Sequence, residues 1–136
     1  MVYEDNVVKL TQYGFQHSVV NPQVAQPLRI YHPAETAPEV LKKSVAATGE
    51  EGFDEREVDV FCFGLLLFQI ITRQPLYPLK IPPLILGIKI SKGMIPTVPD
   101  YVPEELRDIM IGCWQRPGAR PKIGTILKLL LSFHDA

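Results

Sequence analysis

The chain has 136 residues, with 14 lysines and arginines against 15 aspartates and glutamates, for a formal net charge of −1. With 46% hydrophobic and 21% charged residues, the composition excludes a disordered polyelectrolyte or a collagen-like repeat and requires a folded core, by default one domain over 1–136. Phosphate backbones and anionic membranes are bound through clustered lysine and arginine, and the densest basic run is Arg116, Arg120 and Lys122. Neither nucleic acid nor a membrane is therefore an expected partner.

The N-terminus, Met1-Val2-Tyr3-Glu4-Asp5-Asn6, has no basic segment followed by an apolar one, so an intracellular, cytoplasmic location is expected. Residues 1–11 predict a short β-hairpin, with Glu4-Asp5-Asn6 as its turn and the β-branched run Val7-Val8-Lys9-Leu10-Thr11 as its second strand. Residues 12–39 predict a long loop. Four prolines (Pro22, Pro27, Pro33, Pro38) fall in it without a sustained period, and loops of that length usually serve function.

Helices are predicted from 54 to 132. Asp54, followed three residues later by Glu57, is a helix-start signal placing the first turn near 55–58. The apolar run Val58–Thr72 that follows is too short to span a bilayer and is broken by Asp59 and Gln69, so it predicts a buried core helix. Residues 73–103 hold seven of the 13 prolines and are mostly irregular. Within them, residues 84–93 are ambiguous: Ile88 and Ile90 alternate like a strand, whereas Gly93 looks like a helix stop. Leu106, Ile109, Met110, Cys113 and Trp114 then form one helical stripe after Pro103. A last helix after Pro121 carries Ile123, Ile126, Leu127 and Leu130 on one face.

In series, Val8-Lys9-Leu10-Thr11-Gln12-Tyr13-Gly14, Thr36-Ala37-Pro38-Glu39, Val58-Asp59-Val60-Phe61-Cys62-Phe63-Gly64, and Cys113-Trp114 followed by Arg120-Pro121 resemble the C-terminal lobe of a protein kinase domain. The Cys113-Trp114 pair and the Asp59–Gly64 segment are similar to the tyrosine-kinase and tyrosine-kinase-like branches, and Tyr13 before Gly14 to the Roco (leucine-rich-repeat kinase) group. The resemblance implies a mainly α fold: a short hairpin, an activation-segment loop from Gln12 to Glu39, a central helix and three peripheral helices. It also resolves residues 84–93 towards helix.

What a working kinase needs is missing from this sequence: a Gly-rich loop, a strand lysine paired with a helix glutamate, a His-Arg-Asp base, and the asparagine and aspartate that hold magnesium. The resemblance places Met1 just after the catalytic loop. Gln12 stands where the family has the magnesium-binding aspartate, leaving Gln12-Tyr13-Gly14 as a degenerate motif whose neutral amide is a poor ligand for a cation held by charge. No catalytic residue, cofactor or metal is thus expected, ATP and magnesium entering only with a lobe supplied from outside this chain.

Structural roles are implied for Ala37, Pro38, Glu39, Asp59, Trp114 and Arg120. Glu39 and Arg120 would pair, tying the end of the loop to the last helices. Asp59 either bonds within the fold or lies on an exposed face, because buried charges are rarely unpaired. Trp114 reads as a packed core anchor. Cys62 and Cys113 read as free, unreactive thiols. His17, His32 and His134 are scattered without metal-ligand spacing. Ser18, Tyr31 and Thr36 are ordinary loop hydroxyls, and Pro75-Leu76-Tyr77-Pro78 an ordinary loop. Since the family covers its central helix partly with absent elements, Phe61, Phe63, Leu66 and Phe68 cannot all be buried, which implies a protein partner or self-association there. Two functions follow: an inactive, protein-binding kinase-like lobe, or a piece of an ATP-dependent kinase.

Overall fold

In a computed structural model, the described residues are 32–45 and 53–135. The expected hairpin and most of the expected loop lie outside them. The described part is helical: a 3-10 turn at Pro33–Glu35, then α1 (Pro38–Val45), α2 (Glu55–Thr72), α3 (Pro83–Ser91), α4 (Glu104–Cys113) and α5 (Ile123–His134).

Helix α1 begins inside the segment expected to be loop to residue 39. Pro38 fits the first turn of a helix, where no N–H is needed, and Val40 and Leu41 then reach the core. The central helix α2 starts as its cap predicts, with the Asp54 carboxylate accepting the Arg56 N–H at 2.9 Å. It ends where Arg73 adopts φ 54° and donates its N–H to the Gln69 carbonyl at 2.9 Å.

One side of α2, carrying Val60, Phe61, Gly64, Leu65, Phe68 and Thr72, is buried. It packs against α4, whose stripe of Leu106, Ile109, Met110, Cys113 and Trp114 is buried in full. Each buried Leu, Met or Phe contributes about 1.5–3 kcal/mol of transfer free energy, so this seam dominates the fold. Gly64 permits the close approach: a Cβ there would lie 2.6 Å from Cys113 Cβ and 2.7 Å from Trp114 Nε1. The Phe68 and Trp114 rings meet at 6.2 Å, tilted by 58°.

Residues 84–93 are mostly helix, as α3, which packs on the 3-10 turn and on α1. Its Leu86 and Ile90 point inward. Helix α5 departs from its expected apolar face. Ile126 is buried and Leu130, one turn on, partly so, while Ile123 and Leu127 are exposed, so the covered face is the narrow row of Ile126 and Leu130.

Candidate functional site

The densest polar constellation surrounds Arg120, in the turn between α4 and α5. Its side chain is only 1% exposed. Nη1 and Nη2 donate to the two Glu39 carboxylate oxygens at 2.6 and 3.0 Å. Nη1 also donates to the Glu57 carbonyl at 2.9 Å, and Nε to the Gln115 carbonyl at 2.7 Å. The guanidinium lies 5.0 Å from the centroid of the Phe61 ring. Four of its five N–H groups are thereby engaged, which is how a charge is held away from water.

This arrangement joins three parts of the chain. Glu39 comes from the first turn of α1, Glu57 and Phe61 from α2, and Arg120 from the turn before α5. Burial alone would raise the Glu39 pKa, but hydrogen bonds from Arg120 and its positive charge outweigh that and hold it below its ordinary 4.5. Ala37 is buried beside it and Pro38 half-buried at the start of α1.

A second tie was not foreseen. Glu57, expected to complete the start signal of α2, turns away from the cap and accepts the Gly118 N–H with both oxygens, at 2.8 and 3.0 Å. Gly118 sits at φ +88°, a conformation that favours glycine. The partner lies 61 positions away, so no local signal in the sequence reveals it.

The other predicted residues divide clearly. Asp59 is exposed. Trp114 is buried, and its Nε1, packed against Gly64, has no hydrogen-bond partner. Thr36 is buried and donates its hydroxyl to the His32 carbonyl at 2.9 Å; Leu76 and Tyr77 of the Pro75–Pro78 loop are buried too. Cys62 and Cys113 are free, and burial pushes both thiols up to about 11, Cys62 with added repulsion from Asp59 and Glu39. Of the four apolar residues named on α2, Phe61 and Phe68 are buried, Phe63 is half-buried and Leu66 is exposed.

Asp59, Leu66 and Ile70 are exposed on α2, as is Arg73 at its C-terminal cap, with the half-buried Phe63 on the same side. Gln12, Tyr13 and Gly14 lie outside the described residues. Among the described residues no group of His, Cys, Asp or Glu could hold a metal ion, and no helix is long and apolar enough to cross a membrane.

A family model for protein tyrosine and serine/threonine kinases matches residues 1–130. The chain belongs to the protein kinase family, and its described helices are those of a kinase C-terminal lobe. It is 28% identical over 131 residues to the probable serine/threonine-protein kinase pats1 of Dictyostelium discoideum, covering 96% of this chain and 4% of that protein. To the dual specificity protein kinase shkB of the same organism it is 31% identical over 134 residues, covering 94% of this chain and 19% of that protein. To the scaffold protein ILK of Homo sapiens it is 30% identical over 137 residues, covering 99% of this chain and 28% of that protein. The chain therefore spans well under a third of each of these relatives.

Proposed function

We propose that this chain is a catalytically inactive kinase-family C-terminal lobe that works by binding protein, through the side of α2 that exposes Leu66 and Ile70 beside the half-buried Phe63. The observation that carries this reading is a contrast. The structural lock at Arg120 is fully assembled, with four hydrogen bonds, while Gln12 stands where the family resemblance puts the magnesium aspartate. Similarity to a protein named as a scaffold over 99% of the chain supports it.

In this reading the chain uses neither ATP nor magnesium, and Gln12, Tyr13 and Gly14 are remnants of a metal motif. It sits in the tyrosine-kinase-like branch, near the Roco group, and acts in the cytoplasm. The segment ending at Ala37-Pro38-Glu39 is a former activation segment, and Arg120 with Glu39 holds its end in place.

A second reading is favoured by the short span relative to the relatives: the chain is one part of an ATP-dependent kinase whose other part supplies the nucleotide site. Phosphotransfer by the Gln12→Asp variant tests the first reading. No transfer to peptide substrates is expected, since one carboxylate replaces neither base nor lysine, and detectable transfer overturns the first reading. Light scattering tests the face: Leu66→Ser with Ile70→Ser should abolish self-association of the full chain, and a monodisperse wild-type monomer that binds no apolar dye would contradict it.

A further inference from the structure

Arg120 follows directly on a tight turn. Arg116-Pro117-Gly118-Ala119 closes with the Ala119 N–H donating to the Arg116 carbonyl at 3.0 Å. Proline second and glycine third, the glycine at φ +88°, is the pattern of a type II turn. Such a turn makes no use of its glycine N–H. Glu57 takes that N–H with both carboxylate oxygens, at 2.8 and 3.0 Å, while the main-chain carbonyl of the same residue accepts Arg120 Nη1 at 2.9 Å. One residue of α2 thus holds both the turn and the side chain that the turn presents.

The packing shows what Arg120 joins. The 3-10 turn and α1 pack chiefly on α3, whereas α2 packs on α4, and α4 in turn on α5. Glu39 belongs to the first group of elements and Arg120 to the second. Their ion pair therefore crosses from one group to the other, as does the weaker bond from Cys62 Sγ to the Glu35 carbonyl at 3.6 Å. The placing of Arg120 decides whether that crossing is made.

We propose that Glu57 is the positioning residue of this joint: by holding Gly118 it fixes Arg120 where it reaches Glu39, and its release frees residues 33–45 from α2 while the seam between α2 and α4 stays closed. Arg120, with a side chain 1% exposed, is out of reach of solvent, whereas Glu57 is only half-buried. A basic side chain of a partner that draws the Glu57 carboxylate away therefore loosens a buried pair without touching it. The segment so released is the one that ends at Ala37-Pro38-Glu39, so the device sets whether that segment stays seated.

Hydrogen exchange of the full chain, read by mass spectrometry, tests this. A neutral amide accepts an N–H more weakly than a carboxylate does, so Glu57→Gln should speed exchange of the α1 amides at least about tenfold and leave those of α4 unchanged. Gly118→Ala should give the same pattern from the other side of the contact: its methyl group meets nothing within 4 Å, so it acts through the backbone angle alone. A cycle separates positioning from a local contribution of Glu57. In a Glu39→Gln background, where Arg120 has already lost its carboxylate, adding Glu57→Gln should speed α1 exchange less than about twofold further. Equal acceleration of α1 and α4, no acceleration of α1, or the same acceleration with Glu39→Gln present would overturn the proposal.

Discussion

Arg120 grips Glu39 with both ends of its guanidinium, at 2.6 and 3.0 Å, across 81 positions of sequence. The arginine side chain is 1% exposed and the glutamate 15%. Removing one partner of such a pair leaves a buried charge without compensation, at a cost of about 3–5 kcal/mol, whereas an exposed pair is worth under about 1 kcal/mol. Glu39→Ala and Arg120→Ala should each fall in the larger range, and the double variant should cost much less than their sum. Urea melts of the four proteins measure this. Two small, additive losses would mean that the pair holds nothing together.

The same pair sets a pH dependence. Because the folded state holds Glu39 below its ordinary 4.5, the unfolded chain takes up that proton first as pH falls. The contribution of the pair is thus complete above about pH 4.5 and is lost as pH drops through the lower folded value. Glu39→Gln should flatten this limb in a plot of urea midpoint against pH, while wild type keeps it.

At alkaline pH the sign reverses. Burial raises Cys62 and Cys113 to about 11 and Tyr77 to about 12, so the unfolded chain loses those protons first. Stability should decline as pH rises from about 9 towards 11 and 12. At neutral pH both cysteines stay protonated, and iodoacetamide should label the native chain far more slowly than the urea-unfolded one. Equal labelling rates would contradict the burial.

Gly64→Ala tests the α2–α4 seam. Alanine is the better helix former by about 1 kcal/mol, which favours the variant if space is free. Here the new methyl group would meet Cys113 Cβ at 2.6 Å and Trp114 Nε1 at 2.7 Å, so the helices must part. Overpacking of this kind costs about 1–3 kcal/mol, which outweighs the propensity gain. A fall in Tm of several degrees is expected, and a rise would mean that the seam is looser than described.

How much of this was legible varies with the range of the signal. The stripe Leu106, Ile109, Met110, Cys113 and Trp114 is read from local period alone, and every member is buried. For α3 the period fails, because Leu84, Ile85, Leu86, Ile88 and Ile90 surround the helix, and only the family resemblance favoured helix over strand. The start of α1 at Pro38 was hidden by a run of prolines that reads as loop. For α5 the apolar face was visible but its cover was not: Ile123 and Leu127 look like Ile126 in the sequence, and only packing separates them. Glu39 and Arg120 were reachable through resemblance, whereas Glu57 and Gly118 were not, since a strong local cap signal had already claimed Glu57.

A protein-binding lobe without a nucleotide site takes up no Mg·ATP. A ligand present at 100 times its Kd stabilises a fold by about 2.7 kcal/mol, which for a domain of this size is a Tm rise of several degrees. The decisive measurement is the thermal melt of the full chain with and without millimolar Mg·ATP. An unchanged Tm is the result expected of a protein-binding lobe with Gln12 at the metal position. A reproducible rise that requires both magnesium and ATP would contradict it.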